Sequence, residues 1–477
     1  MDAERLAASL RAVVGDDGVL TAREDLNAYD TAARYDGGRA AMVVRPRSTA
    51  EVSAVMAACA AAGARVVPQG ANTGLVAGST ADDTGGQVVL SLERLTGTLE
   101  IDAVNRTARV AAGVRLSALN AALEPHGLFL PIDLGADPTI GGMAATNTGG
   151  ARFIRYGDMR RQVLGLQAVL ADGAGTVVEL KGGLRKDNTG LDLRQLFVGS
   201  GGALGVITAV EVELQPRPRQ AAAALVALAS PEAALPLLMR LERDAGEWLT
   251  AFEGMSRPAI EAALTHTPAL RNPFAAGPPD YAVLIELSSS RPERADEPTL
   301  SEALEVCLAD WMEAAGDDAV DVLVGRPEPL WALRHAISEG LRAKGRVIGF
   351  DLAFRRSDVA AFRAAAVEVL ARDFPEVEVC DFGHIGDGGV HFNLVAAADA
   401  PLAPARLEAL RAVVYDLAVG RFGGSFSGEH GLGRANLDWY RALTPDLVRR
   451  LSGDVQAVFA AAPFGAVDFT DLVRAPA

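Results

Sequence analysis

At 477 residues the chain exceeds the roughly 250 to 300 residues at which a single hydrophobic core stops growing, so two or more domains are expected. Its 61 acidic and 45 basic residues leave a net charge of −16, which excludes nucleic-acid or anionic-membrane binding through bulk charge and requires a local basic site for any anionic substrate. Three scattered cysteines, Cys59, Cys307 and Cys380, form no paired motif, so a reduced, cytoplasmic setting is the expectation.

The N-terminus, MDAERLAASLRAVVGDDG, lacks the basic start and continuous apolar stretch of a secretory signal. No apolar run reaches the ~18 residues of a membrane-spanning helix, which leaves peripheral membrane contact open. Up to residue 217, short apolar runs such as AMVVRP, ARVVP, QVVLSL and TARVAAGV alternate with glycine-rich turns. STAEVSAVMAACAAAG and RLSALNAALEPHG carry helical spacing, so this part reads as an α+β domain. Three loops in it consist of small residues. VVPQGANTGLVAGST, Val66 to Thr80, follows a predicted strand, and its glycines let backbone N–H groups approach a phosphate. It matches neither Walker A nor GxGxxG, and an ordinary glycine-rich turn explains it equally well. DLGADPTIGGMAATNTGGARFIRYG, Asp133 to Gly157, offers Thr139, Thr146, Asn147 and Thr148 as hydrogen-bonding groups with little bulk. FVGSGGALGVIT, Phe197 to Thr208, is the third. Three such loops in one domain suggest an extended, phosphate-bearing cofactor.

EVELQPRPRQ marks a boundary, placing one domain at 1–217 and a second at 218–477 with a helical tail. In the second, PEAALPLLMRLERD, EALEVCLADWMEAA, RSDVAAFRAAAVEVLARDF and LEALRAVVYDLAVGRF have helical periodicity. DFGHIGDGGVHFNL, Asp381 to Leu394, reads as a hairpin turning on Asp387-Gly388 in a two-residue type I′ loop. That register makes His384 and His391 opposed partners with Cβ atoms roughly 4.5 to 5.5 Å apart, and puts Asn393 on the same face. Two imidazoles and an amide then converge, which suits a divalent metal but leaves a third ligand to be found. A plain packed cross-strand pair is the alternative.

PQGANTGLVAGST, the Gly141-Gly142 region with RFIRYGDMRRQVLGLQAVLADG, LRKDNTGLDLRQLFVGS, GHIGDGGVH and GEHGLG occur in an order that resembles FAD-linked 2-hydroxy acid dehydrogenases of the vanillyl-alcohol-oxidase type. The likeness spans roughly residues 40 to 435. The subgroup it most resembles looks like the D-2-hydroxyglutarate dehydrogenases, with D-lactate and glycolate dehydrogenases as cousins. It implies an α+β fold: an FAD-binding domain of two subdomains, then a substrate domain with an antiparallel sheet covered by helices. It implies that Gly70, Ala71, Asn72, Thr73, Gly74 and Gly78 hold the diphosphate. Thr139, Gly142, Ala145, Thr146, Asn147 and Gly149 would line the rest of the flavin site, with Val206 or Ile207 near the adenine. No histidine lies among residues 1–125, so noncovalent FAD is expected.

The same resemblance makes Glu429 the third ligand beside His384 and His391, with zinc the first expectation for the ion. It gives His430 the role of base, taking the hydroxyl proton of a D-2-hydroxy acid while the α-hydride leaves for flavin N5. Arg334 and Ser338, four apart on one helix face, match residues that hold a distal carboxylate, and Asn393 is a candidate substrate contact. Gly349 departs from the pattern, since hydroxyglutarate-using relatives commonly place a lysine there; Gly201 departs from a usual glutamate. The implied partners are a small 2-hydroxy acid and an electron acceptor such as an electron-transfer flavoprotein or a quinone. A homodimer is compatible with the sequence, and a flavin subunit of a glycolate-oxidase-like complex is the alternative reading.

Overall fold

The computed structural model describes residues 2–35, 37–461 and 464–473. The chain forms two compact units: Met1–Gly149, Gly157–Pro216 and His430–Ala477 make the first, and Gly150–Tyr156 with Arg217–Glu429 the second.

The described residues of unit 1 form two larger sheets and a two-stranded one. In the first, β1 (Val19–Leu20), β2 (Ala40–Val44), β3 (Arg65–Gln69) and β4 (Gln87–Ser91) lie in the order β1-β2-β4-β3, with β4 parallel to both neighbours. Parallel strands need a crossover, and helix Thr49–Ala61 follows β2 in the chain and leads to β3. Ser48 caps this helix by accepting from the Glu51 N–H at 3.2 Å, while Val52, Val55, Met56 and Cys59 face inward. The run QVVLS of β4 is buried along its length, as a strand covered on both faces requires. The second sheet is antiparallel, with β5 (Leu99–Asp102), β6 (Thr107–Ala111), β8 (Val163–Leu170), β9 (Val177–Leu180) and β10 (Gly205–Glu213) in the order β5-β6-β10-β8-β9. β7 (Leu128–Phe129) and β11 (Gln215–Pro216) pair separately. One core, including Val88, Leu90, Val110, Val210 and Phe464, joins the two sheets.

A single division at residue 217 is too simple. The helical tail expected in the second domain packs on unit 1: Val455 and Phe459 lie against its core, and Phe459 meets Phe197 edge-on with centroids 5.3 Å apart. The Gln456 amide donates to the Ala203 carbonyl at 3.2 Å, and the Ala461 N–H to Ala171 O at 2.9 Å. The short segment Gly150–Tyr156 goes the other way, because Arg152 pairs with the buried Glu286 at 3.3 Å and Ala151 packs on the core of unit 2.

Unit 2 is built on an antiparallel sheet of β12 (Gln220–Leu228), β13 (Leu249–Ser256), β14 (Tyr281–Ser289), β15 (Ala319–Gly325), β16 (Arg346–Ala353), β17 (Val377–Val379), β18 (Phe382–Gly383) and β19 (Gly389–Ala396). The order is β15-β12-β14-β13-β18-β19-β16, with β17 also on β19. Helices Arg257–His266 and Pro327–Lys344 bury Ile260, Ala263, Trp331, Ile337 and Leu341 with β12, β13 and β14 residues in one core. The two helices approach closely at Gly340, where a Cβ would lie 2.6 Å from the Ala262 backbone. The fold is thus α+β with an antiparallel, helix-covered sheet in its second half. Among the described residues no helix is long and apolar enough to cross a membrane.

Candidate active site

In unit 1 the three small-residue loops come together. Gly70 packs so tightly on the second loop that a Cβ there would run into Thr139 Oγ1, and the Gly199 and Gly201 N–H groups of the third donate to Ala144 O and Ala145 O at 3.0 and 2.7 Å. Their shape is set by backbone conformation. Asn72 and Ala77 have positive φ, 54° and 55°, and Asn147 ends helix Ile140–Thr146 at φ 53°. Asparagine tolerates that region because its short amide bonds locally. The Asn72 amide donates to Thr31 O at 2.7 Å and accepts from the Ser79 hydroxyl at 3.0 Å. Asn147 donates to Asp158 at 2.7 Å and accepts from the Arg160 N–H at 2.8 Å. Both amides therefore brace the loops, which leaves backbone facing any ligand. Gly74 is open, with nothing within 4 Å of a built Cβ, and Thr73 and Ala71 are half-buried beside it. Thr139 caps its helix on the Gly142 N–H at 3.3 Å; Thr146 back-bonds to Gly142 O at 3.0 Å; Gly149 is buried. Gly78 would strike Leu432 O with a Cβ at 3.0 Å, so the second half of GEHGLG packs on the first loop. Val206 and Ile207 are core side chains of β10. A cradle of backbone and glycine, which added side-chain atoms would fill, fits the diphosphate and ring of FAD.

In unit 2 the expected hairpin has a different turn. Phe382, not His384, is the partner of His391, and residues 384–388 form a longer loop. A type I′ turn needs positive φ at both central residues, and of Asp387 and Gly388 only Gly388 has it, at 96°. Asp387 instead accepts from the Gly389 N–H at 2.9 Å, and the Gly389 N–H also bonds His384 O at 3.1 Å. The histidines still meet, with ring centroids 5.1 Å apart and planes at 78°. Their Nε2 atoms stand 3.5 Å (His384) and 3.4 Å (His391) from the same Glu429 Oε1. Ligand atoms at 2.0 to 2.1 Å around a tetrahedral zinc are separated by about 3.3 Å, so these spacings are those of neighbouring donors on one ion.

Two carboxylates not anticipated from sequence complete the site. Asp351, opposite His391 in the β16–β19 register, accepts from the Glu429 N–H at 2.9 Å, and it groups with His391 and Glu429 with one ligand atom each within 4.8 Å of one another. Glu253 on β13 is fully buried, and its Oε1 lies 2.6 Å from His384 Nδ1. Burial alone would raise the Glu253 pKa, but His384 and Arg334 override it and bring it to about 2. Burial also opposes charge on His384, yet Glu253 and Glu429 hold its pKa well above 6.5. The site therefore attracts positive charge, either a proton or a metal ion. The chain passes from unit 2 to unit 1 between Glu429 and the half-buried His430.

Comparison with known proteins gives these sites a lineage. A family described as FAD binding domain matches residues 40–181, which include the first two loops, and one described as FAD linked oxidases, C-terminal domain, matches residues 217–451. The chain is 37% identical over 402 residues to the mitochondrial D-2-hydroxyglutarate dehydrogenase of Bos taurus, covering 83% of this chain and 70% of the relative. It is 35% identical over 397 residues to the D-2-hydroxyglutarate dehydrogenase of Xanthomonas citri, covering 82% and 80%. The chain belongs to the D-2-hydroxyglutarate dehydrogenase family of FAD-linked oxidases. It is an FAD-dependent dehydrogenase. A yeast relative, 31% identical over 91% of this chain and 87% of its own, is a D-2-hydroxyglutarate–pyruvate transhydrogenase. Substrate-bound p-cresol methylhydroxylase, 16% identical, shares the fold with a TM-score of 0.73 over 98% of this chain and 97% of its own.

The residues expected to choose the substrate in this family member are arranged less simply. Arg334, 8% exposed, directs Nε and Nη2 to Glu253 Oε2, both at 2.8 Å, and its guanidinium lies 4.5 Å from the Phe382 ring centroid. Ser338 is half-buried one turn along. Asn393, 4% exposed, donates to His391 O at 3.1 Å, and its register partner is Gly349, two positions from the Asp351–His391 pair. The side chain missing at 349 is thus missing two register positions from a candidate ligand. Gly201 sits at φ 62°, where a glutamate would be strained, so the departure from the usual motif matches the backbone here.

Proposed function

We propose that the protein oxidises a D-2-hydroxy acid to the corresponding 2-oxo acid with noncovalent FAD and a divalent metal ion, zinc first, and that D-2-hydroxyglutarate is the first candidate substrate. The observation that carries the reading is the convergence of His384 Nε2 and His391 Nε2 on Glu429 Oε1 at 3.5 and 3.4 Å. When bound, FAD would supply the two-electron oxidation, and a metal ion would lower the proton affinity of the substrate hydroxyl. The chain's own residues do the rest. His384, His391 and Glu429 would hold the ion, Asp351 would orient the Glu429 backbone, and His430 would accept the hydroxyl proton at a ring nitrogen. The relatives' names support the five-carbon diacid.

A second substrate class, D-2-hydroxy acids without a distal charge such as D-lactate, is favoured by the engagement of Arg334 with Glu253 and by Gly349. Screening D-2-hydroxy acids with an artificial dye tests both, first as purified, then after chelation and after metal restoration. Activity on D-2-hydroxyglutarate that chelation removes and zinc restores supports the proposal; full activity in metal-free protein removes the ion from it. An electron-transfer flavoprotein or a quinone is the proposed acceptor. Pyruvate belongs in the screen because the yeast relative's name couples it to the same donor.

A further inference from the structure

The buried carboxylate of Glu253 needs a reason. It is the one charged residue of the strand LTAFEGMS and is completely buried. Taking a carboxylate and a guanidinium out of water is costly, and a buried ion pair such as Arg334–Glu253 is weak evidence of a stabilising role. The same sheet offers a contrast. Glu286 on β14 is also buried, but its oxygens are taken up by Trp331 Nε1 at 2.8 Å, Thr250 Oγ1 at 2.9 Å and Arg152 at 3.3 Å, none of them a candidate metal ligand. Glu253 divides its oxygens differently: Oε2 takes both nitrogens of Arg334, while Oε1 lies 2.6 Å from His384 Nδ1.

We propose that Glu253 is a positioning residue for the metal centre, accepting the Nδ1–H of His384 so that the Nε2 lone pair faces the ion, with Arg334 as the anchor that holds Glu253 in place. An ionised carboxylate only accepts, so the hydrogen must lie on Nδ1 and the ligand atom must be Nε2. That is the nitrogen found 3.5 Å from Glu429 Oε1. Without Glu253 the ring has no such restraint and both tautomers become available, which lowers the population able to bind metal. His384 needs this help because it stands in the loop 384–388 rather than in the strand that carries His391. Arg334 thereby gains a role beside the substrate contact expected of it: it acts on the ion through two side chains.

The inference rests on the metal reading proposed above, and the experiment separates the two. The zinc dissociation constant of the FAD-loaded full chain is measured by chelator competition at one pH, alongside the melting temperature, for wild type, Glu253→Gln and Glu286→Gln. Glu253→Gln should bind zinc about 10- to 100-fold more weakly while retaining FAD. Glu286→Gln, an equal loss of buried charge in the same sheet, should leave the constant unchanged. If Glu253→Gln is insoluble because Arg334 is left without its counter-charge, Glu253→Gln with Arg334→Met replaces the pair by neutral side chains of similar size and should show the same loss. A wild type that binds no zinc would sink the metal reading itself. Tight zinc binding by wild type and unchanged binding by the soluble Glu253 variant, or equal weakening by Glu286→Gln, would overturn only the role given to Glu253.

Discussion

The two units solve the problem of building a site in opposite ways. Unit 1 uses backbone: its loops meet at Gly70, Thr139, Gly199 and Gly201, and the asparagine side chains at 72 and 147 are turned to bracing the turns. Unit 2 uses charge, gathering His384, His391, Glu429, Glu253, Asp351 and Arg334 from strands, one helix and two loops. A backbone site is damaged by adding atoms, because the donors belong to the main chain and space is what must be preserved. A charged site is damaged by removing them, because each group left behind loses a partner. The units should therefore respond to opposite kinds of substitution.

The largest effect should come from removing a ligand. His391→Ala or Glu429→Ala should lower activity by about 10³-fold, since metal stabilisation of developing charge is worth several kcal/mol, and should empty the ion site while flavin absorbance is retained. Loss of flavin together with metal would show that the units do not act separately. The reciprocal change is Gly70→Val, which forces side-chain atoms against Thr139. Overpacking of this kind costs about 1 to 3 kcal/mol, so FAD affinity should fall roughly 10- to 100-fold, with zinc content unaltered by elemental analysis. Acid precipitation of the wild type should release its flavin into the supernatant; flavin retained on the pellet contradicts noncovalent binding.

Arg334 sharpens the comparison, because it is expected to read the substrate and also lies in the charge network. If it acts through Glu253, Arg334→Ala should reduce kcat/KM on D-2-hydroxyglutarate and D-lactate alike, by about tenfold. A loss of roughly 10²-fold confined to the diacid would identify a direct carboxylate contact. The gentlest test is pH. Because Glu253 and Glu429 overcome burial and hold the His384 pKa well above 6.5, the metal-free protein keeps a proton there that zinc must displace. Zinc affinity should rise with pH above 6.5, by up to about tenfold per unit, until that proton is gone. The sign for metal-free stability is the reverse: the contribution of protonated His384 is full below the unfolded imidazole range and is lost as pH rises through the folded value. Zinc affinity that is flat with pH would mean that His384 carries no such proton.

Much of this was written locally. Helix Thr49–Ala61 follows from the capping serine and apolar spacing of STAEVSAVMAACAAAG, and helices Leu300–Ala315 and Val359–Asp373 follow from theirs. The three small-residue loops, and the nearness of His384 to His391, are also legible because their determinants lie within a few residues of each other. Glu429 could be reached only through resemblance. Tertiary structure alone decided that Glu253, 131 residues before His384, would orient its ring, and that Asp351 would face His391. It also decided that the tail after Glu429 would pack on unit 1. The reason is physical: periodicity reports which face of an element is apolar, whereas the pairing of one buried charge with another depends on strand order and register. Both are set by the whole sheet, and a glutamate in an apolar strand gives no sign in the sequence of which cation will meet it.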